Sequence, residues 1–525
     1  MNPDTASPTA ADREQMEIAD PRIQKLYDYL SEAGQKAYRD EYMLSNAVFA
    51  KSELPREALD RYLEGRGMEN VSFGFSLKKI LRYFGKSCGW LAVLWIQGVA
   101  HRLSRQKFVP DSSKPLTILD IPLMPERIVK DGDLTDPYFP RLEERLQSKN
   151  MSYAYTPKFF GPDRPALYYR AFRLLKKKNR PLMTCFQMLD PSDYLKMFAF
   201  IIVYPFRLFR QINSLGASRE EQLLRFFLWD TMDHTAVKNY ARQLFGKRIS
   251  ELNVPSVRCI SWYENQSQDK NFFRGLRSVS GKAWICGAQL YIWPATLLNL
   301  HADEKEKELG LIPDCILVNG TYYLREGSPL DFQVGPSMRY ARLFQTEVDA
   351  REKSALLVLM PFFEYEIDKM LEMINQAGMS VEIFVKFHPA TDMKKYKKRL
   401  EGKMQIVEDD LYALFDRVGC VIGKATGALV EAASLGIPVI NIETGPGLSH
   451  DYMPRLGKGI IWESASTGTE IVEWVNKFRD FLRTDSGKIR TVAEQYGRMF
   501  FCEPTDEKID EAFGLNESDK TSSSA

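Results

Sequence analysis

Nowhere in this 525-residue chain do two cysteines stand in a Cys-x-x-Cys pair, and its seven cysteines, at 88, 185, 259, 286, 315, 420 and 502, are scattered and odd in number. That excludes a disulfide-stapled scaffold and a zinc ribbon, and makes the reducing cytosol the simpler setting. No His-Glu-x-x-His, paired-cysteine or Asp-x-Asp metal signature is convincing, so neither metal nor cofactor is expected. Long apolar runs are missing too: nothing reaches the roughly eighteen uncharged residues of a spanning helix. The nearest approach, Ser87–Ala100, is short and flanked by Lys78, Lys79, Arg82, Lys86, Arg102, Arg105 and Lys107. The first twenty residues lack the basic and apolar regions of a signal peptide and read as a polar tail. Neither sign of charge dominates; the net of +2 gives no global reason to expect nucleic acid.

What is there is an ordinary globular composition, 44% hydrophobic and 27% charged, in a chain too long for one core. Two domains with extensions follow. Residues 21–110 carry helical spacing, as at Ile23, Leu26, Tyr27 and Leu30, with no strand alternation. Leu77–Phe108 joins cationic flanks to Trp90 and Trp95, a composition that suits either a helix lying on a membrane or one packed on the protein. From about residue 115, strand-like and helix-like segments alternate: Leu116–Ile121, Pro140–Lys149, Met151–Tyr155, Ala166–Lys178, Pro181–Met188, Val257–Tyr263, Ala283–Cys286 and Pro313–Gly320. This rhythm predicts a helix-covered parallel sheet. The apolar insertion Leu195–Arg210 interrupts it and fits plain burial, an acceptor groove or lipid contact. A second, cleaner series of strands is expected at Ala355–Met360, Val381–Phe387, Met404–Val407, Cys420–Ile422, Ile437–Ile442 and Gly459–Trp462.

Two places in the second series carry chemistry. The strand ending at Lys386-Phe-His-Pro389 puts His388 at a carboxyl edge, where Pro389 stops the strand. The stretch Gly423-Lys-Ala-Thr-Gly427 turns a strand into a helix, a place for an anion against backbone N–H groups. Gly423 and Gly427 admit close approach, Thr426 can cap the helix or meet phosphate, and Glu431 lies one turn on, in reach of ribose hydroxyls or simply in solvent. In the first series, Glu264, Asn265 and Gln266 are delivered together after a buried strand, as an active-site base or as an N-cap cluster. Asp230 and Asp233, in an aromatic setting with His234, are further candidate carboxylates and would share one face of a helix.

Together, Trp262-Tyr-Glu-Asn-Gln266, Pro313–Gly320, Gly335-Pro-Ser-Met-Arg-Tyr340, Lys386–Pro389 and Gly423–Ile440 resemble bacterial surface-carbohydrate (capsule and lipopolysaccharide) glycosyltransferases of GT-B fold, most of all those using CMP-Kdo or CMP-sialic acid. The resemblance implies an α/β protein with two Rossmann-like domains facing a cleft. The resemblance spans roughly residues 115–500; the residue pattern divides the chain into a tail at 1–20, a helical extension at 21–112, an acceptor and catalytic domain at 113–348, a nucleotide-sugar domain at 349–515 and a tail at 516–525. Lys386, His388, Pro389, Gly423, Thr426, Gly427 and Glu431 would hold the donor; Glu264, Asp233 or Asp230 would be the catalytic carboxylate, without a metal. The acceptor would be a lipid-linked surface glycan met at the inner face of the cytoplasmic membrane. A polyol-phosphate transferase, a nucleotide-sugar epimerase and a non-catalytic sugar-nucleotide-binding scaffold share the same plan. One departure stands out: the turn Ala425-Thr426-Gly427 has one hydroxyl residue where such enzymes often have two.

Overall fold

The computed structural model describes residues 15–52, 54–66, 76–325, 327–362, 364–388, 391–400, 404–445 and 448–516. Its first half holds strands β1 (Leu116–Asp120), β2 (Pro122–Leu123), β3 (Ser152–Tyr155), β4 (Lys158–Phe159), β5 (Val257–Trp262), β6 (Ala283–Gln289), β7 (Cys315–Val318) and β8 (Phe332–Val334). The second holds β9 (Leu356–Leu359), β10 (Ile383–Lys386), β11 (Met404–Ile406), β12 (Cys420–Gly423), β13 (Val439–Ile442) and β14 (Trp462–Ala465). Two six-stranded sheets result, ordered β3-β1-β5-β6-β7-β8 and β11-β10-β9-β12-β13-β14, while β2 and β4 pair separately. Every pairing is parallel. The central strands, such as Leu356-Leu-Val-Leu359 and Val439-Ile-Asn-Ile442, are buried along their whole length, because helices cover both faces of the sheet. The protein is thus the expected α/β pair of Rossmann-like domains, and the second sheet has the 3-2-1-4-5-6 strand order of that fold.

Chain ends tie the halves together. After the helices Gly468–Thr484 and Ser486–Phe500, the chain returns to the first domain. There Asn319 Nδ2 donates to the Phe500 carbonyl at 2.8 Å, Ser337 N to the Cys502 carbonyl at 2.8 Å, and Arg145 grips Asp510 at 2.6 Å. The helical extension includes Pro21–Ala37, Arg56–Leu63 and Leu77–Ser104. Its middle helix reaches the second domain: Leu448 N donates to Asp60 at 3.0 Å, and Arg56 lies 3.6 Å from Glu366.

Three segments differ from expectation. Pro181–Met188 is not a strand; it makes a single bridge, Tyr155 to Leu182, before turning into the helix Cys185–Met188. The strand expected at Gly459–Trp462 begins only at Trp462, because Gly457 and Gly459, at φ +71° and +78°, hold a turn there. The insertion forms the helix Pro191–Asn213, begun by an Asp190–Asp193 capping box; it buries Met197, Phe200, Ile201, Tyr204 and Leu208 but leaves Leu195, Phe198, Ile202 and Phe206 outside.

Candidate active site

In the second sheet the strand order reverses between β9 and β12, and ligands of open α/β sheets bind at the carboxyl ends beside such a reversal. Three loops leave the sheet there. Met360-Pro-Phe362 follows β9, Phe387-His388 follows β10 and Ala425-Thr426 follows β12, and all three line one cavity of ≈ 420 Å³. Leu297, from the first domain, lines it from across the cleft. Lys386 and His388 therefore meet Thr426, some forty residues on, around a single space.

His388 is exposed as a residue, its ring lies roughly perpendicular to the Phe362 ring at 5.1 Å between centroids, and the partial burial of the imidazole lowers its pKa. Pro389 lies outside the described residues. Lys386 also lines the cavity, but its ammonium donates to the Asp409 carbonyl at 2.6 Å, so part of its hydrogen-bonding capacity fixes the neighbouring loop. Thr426 Oγ1 accepts from Ala428 N at 3.3 Å. The helix that follows, Ala428–Ser434, has only seven residues, so its dipole is small and the hydroxyl matters more than the macrodipole. Gly423 and Gly427 are glycines for space: a Cβ would stand 2.8 Å from Leu429 Cδ2 at the first and 3.0 Å from Ile292 Cβ at the second. Gly427 thus lets the turn abut the first domain. Ala425 sits between them at φ +52°, a left-handed conformation that costs a residue with a Cβ about 1–2 kcal/mol. Lys424 turns inward, buried, 3.3 Å from the Ile442 carbonyl.

Glu431 does not line this cavity. Its carboxylate accepts from the Tyr412 hydroxyl at 2.6 Å, and burial pushes its pKa up to about 7, opposed by the Tyr412 bond and the charge of Arg339. Arg339 belongs to the first domain and lies 5.2 Å over the Trp262 ring. Its charge also acts on Glu264, whose pKa is raised by burial and by Asp269. Glu264 accepts from Trp262 Nε1 at 3.1 Å and Gln266 Nε2 at 2.8 Å, and Trp262 stacks on Tyr291. One cation from the first domain therefore serves a carboxylate on either side of the cleft.

The expected Glu264-Asn265-Gln266 trio is split. Asn265 adopts φ +53° and turns into the interior, donating to Glu306 at 3.1 Å and accepting from Lys270. Glu306 also pairs with Lys270 at 2.9 Å and Lys51 at 3.4 Å. Burial raises the Glu306 pKa, but the two lysines outweigh it and hold it at about 2. Gln266 caps the helix Ser267–Leu276 in a capping box with Asp269. Asp230 and Asp233 do not share a helical face: the helix Arg219–Asp230 ends at the first, and the second accepts from Thr235 N at 2.7 Å in the following turn. Both line a different cavity, of ≈ 340 Å³, beside Lys78, Arg82 and Lys86.

Residues that sequence reading left without a role complete the picture. His450 and Tyr452 line the cavity, and His450 Nδ1 lies 2.9 Å from Thr296 Oγ1 of the first domain. Arg339 stands inside the quoted Gly335–Tyr340 motif, the one signal that pointed at it.

No protein-family model matches the chain, and no curated protein matches it. Solved structures resemble it distantly. Acinetobacter baumannii MurG aligns at TM-score 0.41 and 11% identity over 76% of this chain and 99% of its own. The calicheamicin glycosyltransferase CalG4 aligns at 0.42 and 10% over 77% and 99%. The Neisseria meningitidis UDP-GlcNAc 2-epimerase bound to UDP-GlcNAc aligns at 0.41 and 12% over 76% and 100%.

Proposed function

We propose that this protein is a glycosyltransferase whose second domain holds a nucleotide-sugar in the cavity at His388 while the first domain presents the acceptor and a carboxylate. The observation that carries the reading is the meeting of His388 and Thr426 around one cavity at the strand-order reversal, with a first-domain residue on the opposite wall. In this reading His388 and the Thr426 hydroxyl donate to a donor phosphate, and in the transition state they offset the charge growing on the leaving nucleotide. The reading gives that task to these side chains rather than to a metal ion. Glu264, desolvated and held by two donors, is the carboxylate assigned to activate the acceptor or attack the sugar carbon; Asp230 and Asp233 line another cavity. A CMP-linked Kdo or sialic-acid-like sugar is the proposed donor, and a lipid-linked surface glycan at the cytoplasmic face of the membrane the proposed acceptor.

A thermal-shift series with CMP, UDP, GDP and CDP tests this, because a ligand that binds only the folded state raises its apparent stability. One base should give a selective shift that His388→Ala and Thr426→Ala reduce. Donor incubation should then release free nucleotide; sugar interconversion without release would mark an epimerase, and binding without turnover a scaffold. No shift with any nucleotide, or shifts indifferent to both substitutions, would remove the reading.

A further inference from the structure

The helix Leu77–Ser104 carries apolar residues on both of its sides. Its buried face mixes Tyr83, Leu94, Gly98 and Ala100 with the polar Ser87, Gln97, His101 and Ser104. Its outward face carries Leu77, Leu81, Trp95, Ile96 and Leu103, with Trp95 61% and Leu103 66% exposed. A surface helix of a globular protein normally turns its apolar stripe to the core and its polar face to water.

The helix Pro191–Asn213 buries an apolar face and turns a second apolar stripe outward. Leu195, Phe198, Ile202 and Phe206 fall three or four residues apart, so they form one stripe, and its end members are 71% and 69% exposed. The two helices run antiparallel, side by side: Gly98 of the first sits next to Tyr194 of the second, and Tyr83 lies 5.8 Å from Tyr204, ring to ring. Tyr83 and Leu94 from one, and Met197, Phe200, Tyr204 and Leu208 from the other, enter the same core. Both apolar stripes therefore face away from that core.

Charge names the occupant. The 28 residues of the first helix contain no Asp or Glu but carry Lys78, Lys79, Arg82, Lys86 and Arg102. Lys78, Arg82 and Lys86 recur every fourth residue, so they run along one edge of the stripe. With Lys79, Asp230 and Asp233 they line the ≈ 340 Å³ cavity, where Lys79 pairs with Asp230 at 3.6 Å. The second helix adds Lys196, Arg207 and Arg210 against a single acid, Asp193, which is buried. Among the described residues no helix is long and apolar enough to cross a bilayer. An apolar stripe edged by cations on a helix that does not span is the profile of one lying in the interface of an anionic membrane.

We propose that the outward faces of Leu77–Ser104 and Pro191–Asn213 form one docking surface for an anionic phospholipid bilayer. Trp95, Leu103, Phe198 and Phe206 enter the headgroup level, and Lys78, Arg82 and Lys86 meet lipid phosphates. This deepens the reading of a lipid-linked acceptor, but it is tested without any nucleotide. The full chain is sedimented with vesicles of phosphatidylcholine alone and of phosphatidylcholine mixed with phosphatidylglycerol. It should bind the mixed vesicles at least about tenfold more tightly, and less so at high salt. The pair Trp95→Ser with Phe206→Ser, and the trio Lys78→Gln, Arg82→Gln and Lys86→Gln, should each weaken that binding about tenfold. All five side chains are solvent-facing, so an unchanged thermal transition serves as the folding control. Absence of binding to either vesicle, or binding that neither set of substitutions alters, overturns the proposal. So does a concentration-dependent dimer in sedimentation velocity that Trp95→Ser with Phe206→Ser abolishes, since a second copy would then cover the face. A selective nucleotide shift that survives such a result would leave the transferase reading standing.

Discussion

His450 Nδ1 lies 2.9 Å from Thr296 Oγ1, and this contact joins the two domains at the wall of the proposed donor cavity. Burial, with Arg56 and Lys424 pushing the same way, lowers the His450 pKa to about 4. Unfolded, the ring titrates near 6.5, so between those values the unfolded chain binds the extra proton. Stability from this residue is complete above pH 6.5 and is lost as pH falls toward 4, by about 3 kcal/mol at most. Thermal melts between pH 7 and 4.5 should fall less steeply for His450→Asn; equal slopes would show that the ring's burial is not felt.

Glu431 gives the opposite sign. Its folded pKa of about 7 stands above its ordinary 4.5, so the folded state holds the extra proton between them and stability falls as pH rises through that window. Thermal stability should therefore fall between about pH 4.5 and 7, and Glu431→Gln should flatten that part of the profile. An inflection that persists in that variant would assign it elsewhere.

His388→Ala should raise the nucleotide Kd about tenfold or more, the scale of one lost hydrogen bond to a charged group. Isothermal titration against the nucleotide selected by thermal shift measures this; an unchanged Kd would remove His388 from the site.

At φ +52°, Ala425 is strained where glycine would not be. Ala425→Gly should stabilise the protein by about 0.5–1 kcal/mol, the relieved strain less the added unfolded-state entropy. Urea melts showing destabilisation would mean the turn relaxes in solution.

Glu306→Gln strips Lys51 and Lys270 of their shared counter-charge in the interior. A loss of about 3–5 kcal/mol is expected, since a buried charge is left uncompensated. A loss below about 1 kcal/mol would mean that water reaches the lysines.

Strands were legible in the sequence where both faces are covered, because a doubly buried strand must be a continuous apolar run; Leu356–Leu359 and Val439–Ile442 are of this kind. The edge at Pro181–Met188 was not, since one bridge demands no such run. The small-residue turn at Gly423–Gly427 was legible from its glycines, whereas the strain at Ala425 was invisible, as alanine carries no mark of a left-handed backbone. Asn265 was misplaced for the same reason: its neighbours suggested a common direction, and one positive φ sent it to Glu306.

By itself the sequence determined the two parallel sheets and the two loops that face the crevice, because apolar periodicity and turn residues act over a few positions. Only the tertiary structure decided which distant groups share a space. It put His450 and His388 on the wall of one cavity, set Arg339 in the field of both Glu264 and Glu431, and removed Asp230 and Asp233 to another cavity. It also turned one apolar stripe of Leu77–Ser104 outward, which composition cannot reveal, since a stripe looks the same in sequence whether it meets a core or faces solvent. Such relationships arise from packing between elements far apart in the chain, and local preference carries no record of them.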